Sequence, residues 1–314
     1  MASAPQNVLP LLYKDLIPLS SLDHADWKAR PMDTAPWLIG QHAIPLTVEE
    51  FAPAQRFFPI IFSAGENPVP LALMGLNEGV NVFMGEDGKF TETVYVPAYI
   101  RRYPFMLAKL NDASEELSVC FDPTADAIGA FEDGTPLFDN GEPTDATKDI
   151  LGFCEQFEQA AQRTQAFMTD LVESGLLMDG EVSIQPDPEQ PPFIYRGFQM
   201  VNEEKLRELR GDQLRKMNQS GFLPLVYAHL FSLAQMREVF GRQLVQGKVE
   251  GDAAQARAAA RIPLFASLLG APFEVCFLPE PWPPCACTGW FFMGRRLMPC
   301  AGGDGLLFGR QILG

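Results

Sequence analysis

Two arginines and three tyrosines stand close together in residues 95–105, which read Tyr-Val-Pro-Ala-Tyr-Ile-Arg-Arg-Tyr-Pro-Phe. A guanidinium group holds a carboxylate or phosphate with a planar pair of donors, and tyrosine rings form apolar walls. The pattern predicts an anion-binding site in which Arg101 and Arg102 hold the anion and Tyr99 and Tyr103 form the walls. The structural alternative is that the rings enter the core while the arginines pair with an acidic surface.

The chain has three histidines, His24, His42 and His229. Histidine serves acid–base catalysis and metal ligation near neutral pH. No two of the three have the i, i+4 spacing that places both rings on one helix face. His42 and His229 are candidate ligand-binding residues, and the ordinary alternative is a ring nitrogen bonded to the backbone. No catalytic residue is assigned.

The six cysteines predict no metal site. Cys120 and Cys154 are expected to pack as small apolar residues, whereas Cys276, Cys285, Cys287 and Cys300 lie in the last 39 residues. The spacing of those four, C-x8-C-x-C-x12-C, lacks the paired C-x2–4-C knuckles of structural zinc sites. Glycine-rich phosphate loops and a G-x-S-x-G nucleophile elbow are absent, so no cofactor is predicted.

The charge is strongly acidic, with a formal net value of −16. Residues 111–160 hold 13 acidic residues and one basic residue, Lys148. Such a surface repels phosphate backbones and anionic lipids, so neither nucleic acid nor a membrane surface is an expected partner. The acidic stretch is interpreted as a solvated face, and the alternative is a docking patch for a basic partner or a cation. The N-terminus shows no export signal and the chain shows no membrane span, which predicts a cytoplasmic protein.

The first 143 residues predict antiparallel strands. Short apolar runs at 58–62, 69–74, 80–84, 93–96 and 117–121 alternate with glycine turns that end at Gly79, Gly88, Gly134 and Gly141. An Asp-Gly or Asn-Gly step tolerates the positive φ of a tight turn. No long helical segment separates these runs, which disfavours a doubly wound parallel sheet.

From residue 144 the period changes to that of helices. Thr147 is a candidate cap for a helix that ends at Gly175, a strand is predicted at 193–198, and helices are predicted at 202–217 and 224–244. The fold class is therefore α+β, with an N-terminal antiparallel β-rich half packed with a C-terminal helical half. Residues 1–248 are expected to form this domain. Residues 249–314 are a Pro-, Cys- and Phe-rich tail that is not expected to form an independent domain.

Several motifs occur in an order that resembles the bacterial SapC family from about residue 8 to about residue 245. They are His42-Ala-Ile-Pro-Leu-Thr-Val-Glu-Glu-Phe, Phe58-Pro-Ile-Ile-Phe, the segment 95–105, Gly134-Thr-Pro-Leu-Phe-Asp-Asn-Gly-Glu-Pro and Tyr227-Ala-His-Leu-Phe-Ser-Leu. The resemblance implies an accessory protein, and it brings no reaction, cofactor or catalytic residue with it. The family name comes from an association with surface layers.

Three functional hypotheses follow. The first is a non-enzymatic accessory or binding protein that works with partner proteins, in an oligomeric state left open. The second is an enzyme that modifies a small molecule or peptide, in which His42, His229, Arg101, Arg102, Tyr103 and Asp122 converge on a pocket near residues 101–103. The third is a surface-layer-associated protein, which requires export.

Overall fold

The computed structural model describes residues 9–109, 117–189 and 191–249, together with the backbone of 273–274. Short antiparallel strands dominate the described chain before residue 144, and helices dominate it afterwards. The chain therefore has an α+β fold in which the N-terminal β-rich half packs with the C-terminal helical half, as predicted.

The strands are short in the first half and longer in the second. In chain order they are β1 Ile17–Pro18, β2 Lys28–Ala29, β3 Ala43–Pro45, β4 Ile60–Ser63, β5 Pro70–Leu73, β6 Phe105–Lys109, β7 Leu117–Phe121, β8 Ile128–Gly129, β9 Thr135–Pro136, β10 Phe138–Asp139, β11 Glu142–Pro143, β12 Leu177–Ile184, β13 Phe193–Val201 and β14 Phe273–Glu274.

The α-helices of the described chain are α1 Phe51–Ala54, α2 Ala98–Arg102, α3 Asp145–Glu173, α4 Glu203–Arg207, α5 Gly211–Gln219, α6 Phe222–Ser232 and α7 Gln235–Val245. Two 3₁₀ turns, Pro36–Leu38 and Val48–Glu50, lie in the first half.

The largest sheet joins the two halves of the chain. Its strand order is β14-β12-β13-β4-β5-β3, with every neighbouring pair antiparallel. The predicted strand at 193–198 is confirmed and extends to Val201. Its partner β12 was not predicted, because Met178-Asp-Gly-Glu resembles a turn. Gly180 lies opposite Phe198, and a Cβ there would stand 2.1 Å from a carbon of that ring, so the glycine makes room for the phenylalanine.

The long helix α3 begins earlier than predicted. Its N-cap is Thr144, whose Oγ1 accepts the backbone N–H of Thr147 at 3.4 Å, so the predicted cap at Thr147 was wrong by one turn. The predicted stop is confirmed, since Gly175 has a φ of +66° just after the helix ends. The middle of α3 is tied to the first half of the chain by Thr164, whose Oγ1 accepts the N–H of Val48 at 3.0 Å.

Two predicted strands are not strands. Residues 81–84 are all buried, and their backbone bonds go elsewhere: Val82 N–H donates to Met74, and Phe83 N–H donates to the Asn81 side chain. This leaves a single isolated bridge, Met84 to Phe90. Residues 93–96 form no strand and lead into Pro97. Proline lacks an N–H, which disfavours a continuing strand. By contrast, all four predicted glycine turns have positive φ, from +74° to +115°.

Each of the two predicted C-terminal helices is divided in two. Asn202 caps the first as predicted, by accepting the N–H of Lys205 at 3.0 Å, but the helix stops at Arg207 and α5 restarts at Gly211. The second becomes α6 and α7, separated at Leu233 and Ala234. The predictions for residues 249–314, including Cys276, Cys285, Cys287 and Cys300, lie outside the described residues apart from Val249 and the backbone of β14.

Candidate functional site

Helix α2 positions both candidate arginines. It begins after Pro97, and its first N–H, that of Ala98, donates to Glu50 Oε1 at 2.6 Å. Consecutive residues on a helix point about 100° apart. Arg101 and Arg102 therefore diverge: Arg101 is exposed at the surface, whereas Arg102 is 7% exposed.

The buried carboxylate of Glu50 fixes the start of α2. Its Oε1 also accepts the hydroxyl of Tyr95 at 3.0 Å, and its Oε2 accepts the backbone N–H and the hydroxyl of Thr47 at 2.9 and 3.0 Å. Four donors satisfy a carboxylate that is only 4% exposed. Burial and the Glu50 carboxylate raise the pKa of Tyr95 to about 12, so its hydroxyl stays protonated and donating.

Arg101 is oriented by the same segment. Its Nε donates to the carbonyl of Val96 at 3.0 Å, and its Nη2 donates to the Tyr95 hydroxyl at 3.5 Å. The guanidinium carbon lies 5.3 Å from the ring centroid of Phe153 on α3. Within the described ranges, Arg101 makes no salt bridge with a carboxylate. The cation is thus held in place, and three of its five N–H donors are not used by the described residues.

Arg101 lies at a surface cavity of about 310 Å³, here called the Arg101 pocket. Its lining residues come from three segments: Met32, Asp33, Thr34, Ala35 and Trp37; Gly88, Lys89 and Phe90; and Val96, Ile100 and Arg101. The first two segments are joined by a hydrogen bond from Ala35 N–H to the Gly88 carbonyl at 2.7 Å. Gly88 has a φ of +74°, and a Cβ there would stand 3.0 Å from Pro36 N, so the close approach of the two segments favours glycine.

Tyr103 supports the Arg101 pocket from behind. Its ring lies 4.5 Å, centroid to centroid, from that of Trp37 and 5.3 Å from that of Tyr13. Burial and the nearby Asp122 carboxylate raise the pKa of Tyr103 to about 12. Tyr103 is therefore a buried neutral residue that packs against a pocket wall, and it does not line the pocket itself.

Asp122 is fully buried and anchors the N-terminal segment. Its carboxylate accepts the N–H of Lys14 at 2.7 Å, and the N–H and hydroxyl of Thr124 at 2.8 and 2.7 Å. Burial alone raises the pKa of this carboxyl, but these hydrogen bonds outweigh burial and the pKa is lowered overall. An ionised carboxylate whose lone pairs are taken by the fold is a structural group.

Arg102 occupies an aromatic box. Its guanidinium carbon lies 4.1 Å from the ring centroid of Phe157, 4.7 Å from that of Tyr99 and 5.9 Å from that of Tyr13. Its Nη1 lies 3.4 Å from Glu158 Oε1, and its Nε has no hydrogen-bond partner among the described residues. Tyr99 is also committed to the fold, because its hydroxyl donates to the Leu11 carbonyl at 2.8 Å. Arg102 and Tyr99 therefore brace α2 against α3 and the N-terminal segment.

His229 is fully buried where two strands of the large sheet part. β13 and β4 pair at Phe198–Ser63 and Gln199–Phe62, a register that places Val201 opposite Ile60. Val201 N–H donates instead to His229 Nε2 at 3.1 Å, and His229 Nδ1 lies 2.8 Å from the Ile60 carbonyl. The imidazole thus carries its proton on Nδ1 and takes the place of a direct ladder contact.

Ser232, on the same turn of α6 as His229, also binds β4. Ser232 Oγ accepts the N–H of Ile60 at 2.8 Å and donates to the His229 carbonyl at 2.6 Å. Burial lowers the pKa of His229 to about 4, because a charged imidazole would lose its solvation there. His229 is therefore a neutral structural residue near pH 7.

Helix α7 reaches the second face of the sheet. Val226 on α6 packs in the cluster that contains Ile60 and Phe62, whereas Met236 on α7 packs in the cluster that contains Ile61. Ile60 and Ile61 point to opposite faces of β4. Since Val239 of α7 also packs in the first cluster, α7 contacts both clusters.

The predicted site residues do not form one set. The six predicted ligand-binding residues are His42, Tyr99, Arg101, Arg102, Tyr103 and His229. Arg101 alone of these lines the Arg101 pocket. Tyr99, Arg102 and Tyr103 lie in the core behind it, and His229 is in the sheet. His42 is half-buried just before β3, where its carbonyl accepts the N–H of Met74 at 2.7 Å. A second cavity, of about 250 Å³ between α3 and α5, is lined by none of the six.

The pocket residues of the other two segments, among them Asp33, Trp37, Lys89 and Phe90, were not predicted as site residues. The only signal was the turn at Gly88, which was recognised as a turn without any indication that Lys89 would stand near Arg101. Within the described part of the chain, Lys89 makes no salt bridge, and no three His, Cys, Asp or Glu side chains form a metal-binding group. Among the described helices, none has the length and apolar character to cross a membrane.

The fold and the site together define an α+β protein with a cationic surface pocket and a core braced by buried polar groups. The family model SapC matches residues 19–239, more than half of the chain, and the protein belongs to the SapC family. The resemblance inferred from the motifs is thereby confirmed. No curated protein and no solved structure matches the chain.

Proposed function

We propose that this SapC-family protein is a non-enzymatic accessory protein that binds a partner protein through the Arg101 pocket. The observation that carries the proposal concerns the orientation and the ion pairing of Arg101. Its guanidinium is oriented by Val96, Tyr95 and Phe153, yet it has no carboxylate partner among the described residues. A group that is already oriented loses little conformational entropy when a ligand binds.

The walls of the pocket suit a partner with an apolar group. Trp37, Phe90, Val96 and Ile100 line it, and aromatic and arginine residues are the types most often found at the energetic centre of protein interfaces. Lys89 adds a second cation. The chemistry of the pocket therefore favours an acidic group next to an apolar side chain.

The enzyme hypothesis finds less support in this arrangement. General acid–base catalysis requires its groups within hydrogen-bond reach of one substrate. The titratable residues proposed for that role lie in separate environments: His229 in the sheet, Asp122 bonded to the N-terminal segment and Tyr103 behind Trp37. No observation in the described residues favours the surface-layer hypothesis.

Site-specific crosslinking tests the proposal. A photoreactive benzoyl-phenylalanine replaces Met32, which is exposed and lines the pocket, and the full chain is irradiated in its own cells. We expect a discrete adduct with one protein that is lost in Arg101→Ala. It should persist in the control Arg56→Ala, which removes an exposed arginine that does not line the pocket. Equal adduct yield in the two arginine variants would contradict the proposal.

A further inference from the structure

We infer that the Arg101 pocket takes the C-terminal residue of a peptide chain, with the terminal carboxylate held by Arg101 and Lys89 and an apolar side chain held by Trp37 and Phe90. The inference rests on the proposed binding function and names the chemistry of its ligand. Arg101 and Lys89 are cations of one cavity, and neither forms a salt bridge within the described chain.

The net charge of the pocket lining matches a ligand with one negative charge. Arg101 and Lys89 contribute two positive charges and Asp33 contributes one negative charge, which leaves a single excess positive charge. A carboxylate carries one negative charge, whereas a phosphate monoester carries nearly two near pH 7. The planar guanidinium also matches the two oxygens of a carboxylate.

A chain terminus places the two required groups together. In a C-terminal residue the carboxylate and the apolar side chain are attached to the same Cα, so both enter the cavity at once. In an internal Asp or Glu the carboxylate takes the place of the apolar side chain, and a second residue would have to supply the apolar group. A volume of about 310 Å³ is at the small end of the range for ligand sites, about 300–1,000 Å³. It suits one or two residues better than a long segment.

The rim supplies acceptors for the residue before the terminus. Asp33 and Thr34 are exposed and line the pocket, so their side-chain oxygens are open to a ligand. Either can accept the last peptide N–H of a bound chain. A free small carboxylate without a preceding peptide group would leave these acceptors unused.

Titration calorimetry of the full-length protein tests the inference with defined probes. The first is acetyl-Ala-Ala-Phe with a free carboxylate, and the second is the same peptide with a C-terminal amide. The third is acetyl-Ala-Asp-Phe amide, which carries an internal acid. 3-Phenylpropionate, which has a carboxylate and a phenyl ring but no peptide N–H, and inorganic phosphate represent a small carboxylate and a free anion.

We expect the free-acid peptide to bind at least tenfold more tightly than each of the other probes. Arg101→Ala and Lys89→Ala should each weaken it at least threefold, and Arg56→Ala should leave it unchanged. All three side chains are exposed, and circular dichroism checks that the variants fold. Equal binding of the amide, the internal acid, 3-phenylpropionate or phosphate would overturn the inference, as would equal binding by Arg101→Ala.

The two proposals can fail separately. If the free-acid peptide does not bind but the Met32 crosslink still depends on Arg101, the partner is bound by another chemistry and only this inference falls. If the peptide binds through Arg101 while the crosslinked partner does not depend on Arg101, the ligand chemistry stands and the accessory function proposed for the pocket falls.

Discussion

The guanidinium carbon of Arg102 lies 4.1 Å from the ring centroid of Phe157, and one helical turn earlier on α3 the ring of Phe153 faces the guanidinium of Arg101 at 5.3 Å. Two adjacent arginines of α2 thus each face an aromatic ring of α3. Arg102 is buried and packs on the partly buried Phe157, so it serves the fold, whereas Arg101 is exposed beside the Arg101 pocket.

Replacement of Arg102 by Ala should destabilise the protein by about 3 kcal/mol. The change removes a buried cation that packs on three rings and leaves Glu158, which is one-third exposed, without its partner. Chemical denaturation measures the effect. Arg101→Ala is the matched neighbour and should cost no more than about 0.5 kcal/mol, because its side chain is exposed. A loss of similar size in both variants would contradict the division of roles.

The stability of the protein should fall as the pH drops from about 6.5 to about 4. The pKa of His229 is about 4 in the folded protein and about 6.5 in an unfolded chain, so within this window the unfolded state binds a proton that the folded state does not. The unfolding free energy therefore rises with pH in this window, and the contribution of His229 amounts to about 3 kcal/mol over its full width. Urea unfolding at several pH values measures it.

His229→Gln separates this contribution from that of the carboxylates. The amide cannot take up a proton in this range, so the difference in unfolding free energy between the wild type and the variant should grow with pH from 4 to 6.5 and then level off. A constant difference across the window would show that His229 does not titrate in this way.

Glu50→Gln should destabilise the protein by about 2 kcal/mol. Its amide NH₂ group would face hydrogen-bond donors, either at Thr47 or at Tyr95 and Ala98, in a buried position. The adjacent Glu49→Gln is the control. Glu49 is exposed and pairs only with the exposed Arg163, so its loss should cost less than about 1 kcal/mol. Thermal unfolding compares the two, and equal losses would refute the role given to Glu50.

Gly88→Ala should damage the Arg101 pocket, whereas Gly79→Ala should not. Both glycines have a φ near +75°, so each substitution costs about 1 kcal/mol in backbone strain. A Cβ at Gly88 would also press on Pro36 at 3.0 Å, while a Cβ at Gly79 would meet nothing within 4 Å. Denaturation should therefore show a larger loss of stability for Gly88→Ala, and only Gly88→Ala should weaken peptide binding. Equal affinities would show that the wall between Pro36 and Gly88 does not shape the site.

The parts of the fold that follow from local signals were predictable. Gly175 stops α3, Asn202 caps α4, and the glycine turns have the backbone angles that their positions require. The parts that depend on distant contacts were not. β12 pairs with β13 along its length and Gly180 leaves room for the ring of Phe198, but no local pattern indicates that partner.

The candidate site also combines a local sequence signal with contacts between distant residues. The dense aromatic and arginine segment drew attention to α2, but a sequence does not say which of two adjacent arginines faces outward. That choice depends on Phe153 and Phe157 of α3, about 50 residues away. Trp37 and Lys89 line the Arg101 pocket because their segments lie side by side, joined by the hydrogen bond between Ala35 and Gly88.

The affinity of the partner captured by the Met32 crosslink, measured for purified wild-type, Arg101→Ala and Arg56→Ala proteins, tests the central claim most directly. We predict that Arg101→Ala raises the dissociation constant at least tenfold and that Arg56→Ala changes it less than twofold. Equal dissociation constants for the two arginine variants would contradict the claim that the Arg101 pocket is the binding site.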